Sequence, residues 1–395
     1  MIENGLNNRI SMHDCVVVKD ELYFFTLNYN ALYKANASGK LTFLGIAPNE
    51  KIYKQHLYGS IVYSNGYLFL SPMDAEEICV YNIEAQSFYK LPLREKAEGV
   101  KSKFFKAVFY ENAVYMIPCR CHYIIKIDVN TLKVEYLDEF YKKMHISDQY
   151  NRMVFKNGCV LQNENLYLAG VYGNELVKIN LKTMETDVFR VGEKKEGFYD
   201  MVCQGNEFLF LRWQSPSLIR WNMESKEYEE YENFPEEFCS YGIPFIAIKD
   251  CGAYYYLVSY QSNMSVLLLK ENKEMIRAEF DFERPQKCVE SWDARHYFVN
   301  RIDDASLLVA NIEDHSFDIV TGDGKVKNFS LIDEGASSKL VIAAKRNVLE
   351  RSSIMLKDFL ETVISSEFGN TNQNTVTVGH ETNGKRIHDI IIKDL

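Results

Sequence analysis

The sequence predicts an all-β fold, a seven-bladed β-propeller of four-stranded blades with a short α-helical C-terminal appendage. Aromatic residues make up 13% of the 395 residues, with 26 Tyr and 24 Phe, and such residues favour the half-buried surface of a pleated sheet. A short apolar motif ending in Asn or Asp recurs along most of the chain. Each copy follows a pair of apolar runs separated by a tight turn, so the predicted repeating unit is two hairpins.

The recurring motif sets the period of the repeat, and we call the polar residue at its end the anchor. The anchors are Asn36, Asn82, Asp128, Asn180, Asn222 and Asn311. The first five are separated by 46, 46, 52 and 42 residues, and the last interval of 89 residues holds two units. Lys270 occupies the position of the missing anchor. Seven such units account for residues 14 to 332.

Ahead of each anchor, two apolar runs flank Gly, Asn or Asp residues, which supply the unusual backbone angles of tight turns. The clearest pairs cover residues 16–25, 61–70, 107–117, 159–169, 201–210 and 246–258. Four strands per unit of this length are typical of propeller blades, in which sheets pack face to face around an axis. A β-sandwich would not repeat at this interval, and the coil of a β-solenoid is usually shorter.

The anchors are interpreted as turn residues, because Asn and Asp side chains cap their own backbone two residues onward. Over residues 14–332 the chain resembles kelch-like and other irregular bacterial propellers. The resemblance is to an architecture, because residues 14–332 contain neither the paired glycines of kelch repeats nor the Gly-His dipeptide of WD repeats. Trp292-Asp293 is the only Trp-Asp dipeptide. The resemblance therefore implies a fold and lends the chain neither a partner nor a reaction.

The chain divides into a predicted propeller at residues 1–332 and a C-terminal extension at 333–395. Apolar residues recur within 343–368 at the spacing of an amphipathic helix. This helix either packs on the propeller or offers its apolar face to a partner or to a second copy of the chain. Closure of the ring also has two alternatives, because either residues 8–12 or residues 325–331 could complete a terminal blade.

The formal net charge of −10 opposes an electrostatic footprint for nucleic acid, so no nucleic-acid partner is predicted. The first ten residues lack the charged and apolar regions of a secretory signal. The apolar runs are too short for a membrane span. The nine cysteines have no framework spacing, which is typical of reduced thiols. Together these observations predict a cytoplasmic protein.

The cluster Cys119-Arg120-Cys121-His122 suggests metal ligands at first sight. A structural zinc site needs four ligands, usually in two separated pairs, and the sequence has no second pair. Strand alternation would place the two thiols on one face and Arg120 with His122 on the other. No catalytic or nucleotide-binding motif of the common enzyme classes is present. We therefore predict no metal and no cofactor, and the prediction leans towards a protein without catalysis.

The start of each inner strand and the loops on the same face should surround the mouth of a central channel. The candidate binding residues there are His13, Asp14, Arg120, Arg152, Asp200, Arg212, Trp213, Trp292 and Arg295, and the same register includes Tyr58, Lys106 and Tyr241. Arginines beside aromatic rings suit a planar, anionic or sugar-like ligand, through bidentate hydrogen bonds and stacking.

Two functions follow from this pattern. The first is a non-catalytic binding or scaffold module that engages a protein or peptide partner through its loop face. The alternative is an enzyme or sensor for a carbohydrate or other polar small molecule at the channel mouth. In the alternative, Asp14, Asp200 and a nearby histidine would supply the acid and base groups.

Overall fold

The structure is a computed structural model that describes residues 12–94 except 28 and 37, residues 99–145 and residues 153–278. Beyond these it describes the backbone of the strands between 297 and 333 and most positions of 335–343. The described strands form six four-stranded sheets and one five-stranded sheet. Among the described residues, helix occurs only in α1 (Glu139–Lys143) and at positions within 336–343. The predicted all-β class is confirmed.

The strands have the following bounds, sheet by sheet. The first sheet contains β1 (Cys15–Val18), β2 (Glu21–Phe25), β3 (Leu32–Ala35) and β4 (Lys40–Gly45), and the second contains β5 (Tyr58–Ser64), β6 (Tyr67–Pro72), β7 (Glu77–Asn82) and β8 (Ser87–Pro92). The third contains β9 (Phe104–Tyr110), β10 (Ala113–Pro118), β11 (Ile124–Asp128) and β12 (Val134–Leu137), and the fourth contains β13 (Phe155–Gln162), β14 (Asn165–Gly170), β15 (Glu175–Asn180) and β16 (Thr186–Arg190).

The fifth sheet contains β17 (Phe198–Gln204), β18 (Glu207–Arg212), β19 (Leu218–Asn222) and β20 (Tyr228–Tyr231), and the sixth contains β21 (Phe245–Asp250), β22 (Tyr254–Ser259), β23 (Val266–Leu269) and β24 (Met275–Arg277). The last four-stranded sheet contains β25 (Tyr297–Arg301), β26 (Ser306–Asn311), β27 (Ser316–Thr321) and β28 (Val326–Ser330). The short β29 (Ile332–Asp333) belongs to the first sheet.

The sheets are arranged around a common axis. Within each sheet the strands that follow one another along the chain pair antiparallel. The first strand of each sheet contacts the first strand of the next, from β1 through β5, β9, β13, β17 and β21 to β25. These contacts place the first strands of successive sheets side by side along a channel, and the later strands of each sheet lie progressively farther out.

Apolar side chains fill the space between neighbouring sheets. The layer between the fourth and fifth sheets shows the pattern, because Tyr167 faces Phe208, Phe210 and Trp221, all at most 3% exposed. Comparable layers join the first sheet to the second, the second to the third, the third to the fourth and the fifth to the sixth. Burying both faces of each sheet explains the near-continuous apolar runs of the sequence.

Five of the six anchors start the turn between the third and fourth strands of their sheets, as the sequence predicted. The prediction was wrong for Asn311, which ends β26, the second strand of its sheet. Asn180 Oδ1 accepts hydrogen bonds from the backbone N–H groups of Lys182 and Thr183, at 2.9 and 3.0 Å. The same pattern occurs at Asn36, Asn82, Asp128 and Asn222. Backbone and hydroxyl hydrogen bonds from Thr131 lower the pKa of Asp128. Lys270 lacks an acceptor and instead pairs with Asp250 at 2.7 Å.

The C-terminal part of the chain returns to the first sheet. The segment 325–331 supplies β28, the outermost strand of the last sheet. Ile332 and Asp333 of β29 then pair parallel with Lys40 and Leu41 on the outer edge of the first sheet. Ala336 and Leu340 are buried against that sheet. Residues 344–368, most of the predicted helix, lie outside the described residues, as do residues 8–11.

Within the described part of the chain, no helix is long and apolar enough to cross a lipid bilayer.

Candidate binding site at the channel mouth

A bulge interrupts five of the inner strands at the same level. The extra residues are Gly59 in β5, Phe105 in β9, Tyr199 in β17 and Ile246 in β21. In β13 the residues 156–158 together oppose Ala169 alone. Bulges of this kind redirect side chains next to binding sites. They place Phe105, Lys156 and Tyr199 at the channel mouth.

The channel below this ring of bulges contains a cavity of about 640 Å³. Its lining comes from the inner strands β5, β9, β13, β17 and β21 and from Asp14, which directly precedes β1. Its charged groups are Asp14, Lys106, Asp200, Lys249 and Asp250. A volume of this size is typical of sites for small ligands or for the tip of a peptide. As far as the structure describes its lining, the channel is therefore open to a polar group and is not filled by apolar side chains.

Three basic side chains act on one another electrostatically near the channel, and one of them, Lys106, lines the cavity. Burial lowers the pKa of Lys156, the nearby charges of Arg120 and Lys106 lower it further, and Cys119 opposes them. Lys156 Nζ lies 3.6 Å from the centroid of the Phe105 ring. Among the described residues, none of the three cations forms an ion pair with a carboxylate, and Arg120 Nε has no hydrogen-bond partner. We call Lys106, Arg120 and Lys156 the cationic cluster.

Two histidines stand beside the cationic cluster. His13 Nε2 and His56 Nδ1 are 3.4 Å apart, and the His13 ring makes an edge contact with Phe105 at a centroid distance of 5.0 Å. Burial lowers the pKa of His56, an effect that Asp74 opposes and Lys156 reinforces. The histidines therefore extend the polar wall of the mouth from the third and fourth sheets to the first.

Aromatic rings form a further wall, which we call the aromatic wall. Trp213 is 8% exposed and stacks on Tyr199 with an interplanar angle of 18°. Tyr172, which is 48% exposed, lies 6.5 Å from the Trp213 ring between centroids. Within the described part of the chain, Trp213 Nε1 has no hydrogen-bond acceptor. The mouth thus combines the cationic cluster with ring faces and an indole donor.

The two predicted acid or base groups, Asp14 and Asp200, tie neighbouring inner strands together. Asp200 Oδ2 accepts the backbone N–H of Ile248 at 3.0 Å and lies 3.8 Å from Lys249 Nζ. Asp14 Oδ2 accepts the hydroxyl of Ser60 and the N–H of Ile61 in the next sheet. Both carboxylates line the same cavity. These hydrogen bonds link neighbouring sheets. They also provide the partners that carboxylates withdrawn from water need.

The other predicted residues lie in different surroundings. The Arg212 guanidinium is fully buried and pairs with Glu230 on the outer strand β20 at 2.7 Å, so it is directed away from the channel. Tyr58 is buried and Tyr241 is 53% exposed. Arg152, Trp292 and Arg295 lie outside the described residues.

Cys119 and Cys121 are both buried, whereas His122 is exposed and stacks on Tyr141 at a centroid distance of 4.0 Å. This is the alternation predicted for the segment. Burial raises the pKa of Cys121 to about 12, which keeps its thiol protonated. No group of three or more His, Cys, Asp or Glu residues suited to a metal ion occurs in the part of the chain that the structure describes.

Sequence reasoning missed Lys156, His56, Phe105 and Tyr199. A signal was available for some of them, because His13, Gly59, Phe105, Asn157 and Tyr199 each precede their own anchor by 23 residues. Aligning the units on the anchors would have shown that this one position carries the bulge.

Comparisons with known proteins support the architecture. No protein-family model and no curated protein sequence matches the chain. Among solved structures, an inactive virginiamycin B lyase from Staphylococcus aureus with quinupristin aligns at a TM-score of 0.57 and 13% identity, over 82% of this chain and 97% of that one. A chain of the mitotic checkpoint complex aligns at 0.51 and 10% identity, over 79% and 84%. BamB from Moraxella catarrhalis aligns at 0.50 and 10% identity, over 80% and 83%.

These structural neighbours are all β-propellers. The chain has a β-propeller fold. The propeller architecture predicted from the 42- to 52-residue repeat is therefore confirmed. At such low identities the likeness concerns the fold alone, since one propeller scaffold carries many unrelated functions.

Proposed function

We propose that this propeller is a non-catalytic binding module that holds an acidic group of a protein or peptide partner at its channel mouth. The observation that carries the proposal is the cationic cluster, whose three side chains influence one another electrostatically and form no ion pair with a carboxylate among the described residues. Half-buried cations of this kind gain most when an anion from outside supplies the missing charge. Because the whole chain has a formal net charge of −10, acidic partners are repelled from most of its surface and attracted only to a local positive site.

The fold suits this role, because a rigid ring of sheets presents its loops on one face with little loss of conformational entropy on binding. One structural neighbour belongs to an assembly, the mitotic checkpoint complex. That a propeller takes part in an assembly supports the scaffold role proposed for this chain.

Binding of a labelled octaglutamate peptide, measured by fluorescence anisotropy, tests the proposal. We expect the wild-type protein to bind octaglutamate and not octaglutamine. Replacing both Arg120 and Lys156 by Gln should weaken octaglutamate binding roughly a hundredfold, because each lost charge-assisted hydrogen bond costs about 1.5 kcal/mol or more. Binding should also weaken at high salt.

The matched control replaces Lys182 and Lys195, both exposed, by Gln, which removes the same charge. This control should bind octaglutamate within about twofold of the wild type, because distant surface charges are screened. Equal weakening in both double variants would mean that net charge alone attracts the peptide, and the channel mouth would then not be the site.

A second candidate function is a sensor or enzyme for a polar small molecule in the same mouth. The 640 Å³ cavity and the stacked Trp213 and Tyr199 favour it. A structural neighbour is a lyase that was crystallised with quinupristin, so a propeller of this shape can carry a small-molecule site. Asp14 and Asp200 would be its acid and base groups only if they exchanged their present partners.

We also propose that the sheets complete a ring of seven blades at residues 1–332 and that the extension 333–395 is an appendage in a cytoplasmic protein. Pairing of β29 with β4 supports closure, because it ties the C-terminal part of the chain to the first sheet. A kelch-like ancestry and a carbohydrate-related role remain predictions.

A further inference from the structure

One level of the channel carries a ring of polar positions. Asp14, Ser60, Lys106, Gly158 and Asp200 each precede their own anchor by 22 residues, one residue after the position that carries the bulge. The Ser60 hydroxyl donates a hydrogen bond to Asp14 Oδ2, which shows that neighbouring members lie at the same level. We call these five residues the polar ring. It places one amine, one hydroxyl and two carboxylates along the channel.

The polar ring has a gap between its amine and one of its carboxylates. Gly158 in β13 stands between Lys106 in β9 and Asp200 in β17, because these are the inner strands of three successive sheets. A Cβ atom at Gly158 would lie 2.7 Å from the Cβ of Ala169, so packing against β14 keeps this position a glycine. Among the described residues, Lys106 forms no ion pair with a carboxylate. Two opposite charges therefore flank a position without a side chain.

Both of these charged groups line the cavity of about 640 Å³ in the channel. Burial raises the pKa of Cys159, another lining residue, to about 12, while Lys106 lowers this pKa and Asp200 raises it. Both charges therefore act on the same thiol. Asp200 has Lys249 Nζ only at 3.8 Å, which is long for an ion pair. The amine of Lys106 and the carboxylate of Asp200 thus share one part of the cavity without neutralising each other.

A buried acceptor without a partner lies next to the gap. Asn157 directly precedes Gly158 and lines the same cavity. Its Nδ2 donates to the carbonyl oxygen of Ile246 at 2.9 Å, which fixes the orientation of the amide. Its Oδ1 is buried and accepts no hydrogen bond within the described part of the chain. Because an unsatisfied buried acceptor costs free energy, a ligand that donates a hydrogen bond there would be stabilised.

We propose that the channel cavity binds the zwitterion of an aliphatic α-amino acid, with its carboxylate at Lys106 and its ammonium group at Asp200 and Asn157 Oδ1. Such a molecule carries opposite charges on groups that share one carbon atom, and each charge gains a charge-assisted hydrogen bond. It adds no net charge to the cavity, so neither of its charges leaves water without a partner. Aliphatic lining residues such as Leu161 and Met201 suit an apolar side chain on the ligand.

Isothermal titration calorimetry with the full-length protein tests the inference. The probes are L-leucine, isocaproate, which lacks the ammonium group of leucine, and isopentylamine, which lacks its carboxylate. We expect leucine to bind at least about tenfold more tightly than either analogue, because each analogue loses one charge-assisted hydrogen bond. L-Glutamate should bind more weakly than leucine, because its charged side chain would be buried among aliphatic groups.

The variant Lys106→Gln identifies the group that binds the carboxylate. It should bind leucine about tenfold more weakly and isopentylamine within about twofold of the wild type, because only leucine uses the amine. A residue with a merely structural role would change both affinities alike. The matched control, Lys195→Gln, removes the same charge from an exposed position and should change neither affinity. The comparison of the three probes on the wild-type protein does not depend on the folding of either variant.

The failure of this inference and the failure of the proposed function are distinguishable. The inference rests on the proposed function only in requiring that Lys106 accepts an anion. No binding of leucine, or equal affinities for leucine and its two analogues, overturns the inference even if octaglutamate binds at the mouth. Equal weakening of leucine and isopentylamine by Lys106→Gln contradicts the assignment of the carboxylate to Lys106. Binding of leucine with the expected ranking supports the inference even if octaglutamate does not bind.

Discussion

Replacing Gly197 by Ala is expected to lower the free energy of unfolding by about 3 kcal/mol and to distort the binding mouth. A Cβ atom at this position would lie 1.6 Å from the carbonyl oxygen of Val171 and 2.1 Å from its carbonyl carbon. Both are backbone atoms, so the clash cannot be relieved by a change of rotamer. Overpacking of this kind costs 1–3 kcal/mol and sometimes more.

The distortion should reach the binding residues through a chain of backbone hydrogen bonds. Trp213 donates its N–H to Gly197 O at 3.0 Å, and Val171 donates its own to Val154 O at 3.0 Å. Val154 lies two residues before Lys156. Displacing Val171 therefore shifts the aromatic wall and the bulge of β13 together.

Urea unfolding followed by tyrosine and tryptophan fluorescence measures the effect. The matched control is Gly205→Ala, because Gly205 has φ +62° but nothing within 4 Å of a built Cβ. The control should lose about 1 kcal/mol from left-handed backbone strain alone. If Gly197→Ala is no more destabilising than Gly205→Ala, the close contact with Val171 does not exist in solution.

Replacing Glu230 by Gln is expected to cost about 3 kcal/mol, because it leaves the buried Arg212 without its main counter-charge. The Arg212 side chain has no exposed surface, and its Nη2 lies 2.7 Å from Glu230 Oε1. The second carboxylate, of Glu196, is 3.8 Å from Nε. The neighbouring Glu229 is the matched control, because it pairs with Lys273 on the surface with both side chains nearly half exposed. Glu229→Gln should change stability by less than about 0.5 kcal/mol.

The stabilisation that the Glu230 carboxylate contributes should be lost at low pH. Burial raises its pKa, but hydrogen bonds and charge from Lys194 and Arg212 outweigh burial and hold the pKa below the ordinary value. A depressed pKa in the folded state contributes stability that is present above the unfolded value and is lost as the pH falls through the folded one. The difference between wild type and Glu230→Gln should therefore shrink below about pH 4. A difference independent of pH would contradict the ion pair.

Much of the fold could be predicted because blades are local structures. Each anchor makes its hydrogen bonds within a few residues, as Asn180 does with Lys182 and Thr183, so the turn chemistry is visible in the sequence. The pairing of β29 with β4 is different, because it joins Ile332 to Lys40, which are far apart in the sequence. A two-residue strand carries no periodic signal, and no local rule predicts its partner.

The candidate site was predicted only in part, and the bulges explain why. Strand alternation placed the start of the fourth inner strand at Cys159, whereas β13 begins at Phe155 and bulges over 156–158. Lys156 therefore lies outside the strand pair predicted at 159–169. The prediction for Arg212 was wrong for a different reason. Its position in the repeat suggested that its side chain faces the channel, but the side chain reaches Glu230 on the outer strand β20. Sequence spacing does not show which way such a side chain turns.

The position of a bound anion tests the central claim most directly. Crystals of the full-length protein are soaked in sodium bromide, and the anomalous signal of bromide locates each ion. The account predicts a bromide at the channel mouth in contact with Arg120 and Lys156, lost in the double Gln variant and retained when Lys182 and Lys195 are replaced. Bromide ions at surface lysines with none at the mouth would contradict the account, because the cationic cluster would then not accept an anion.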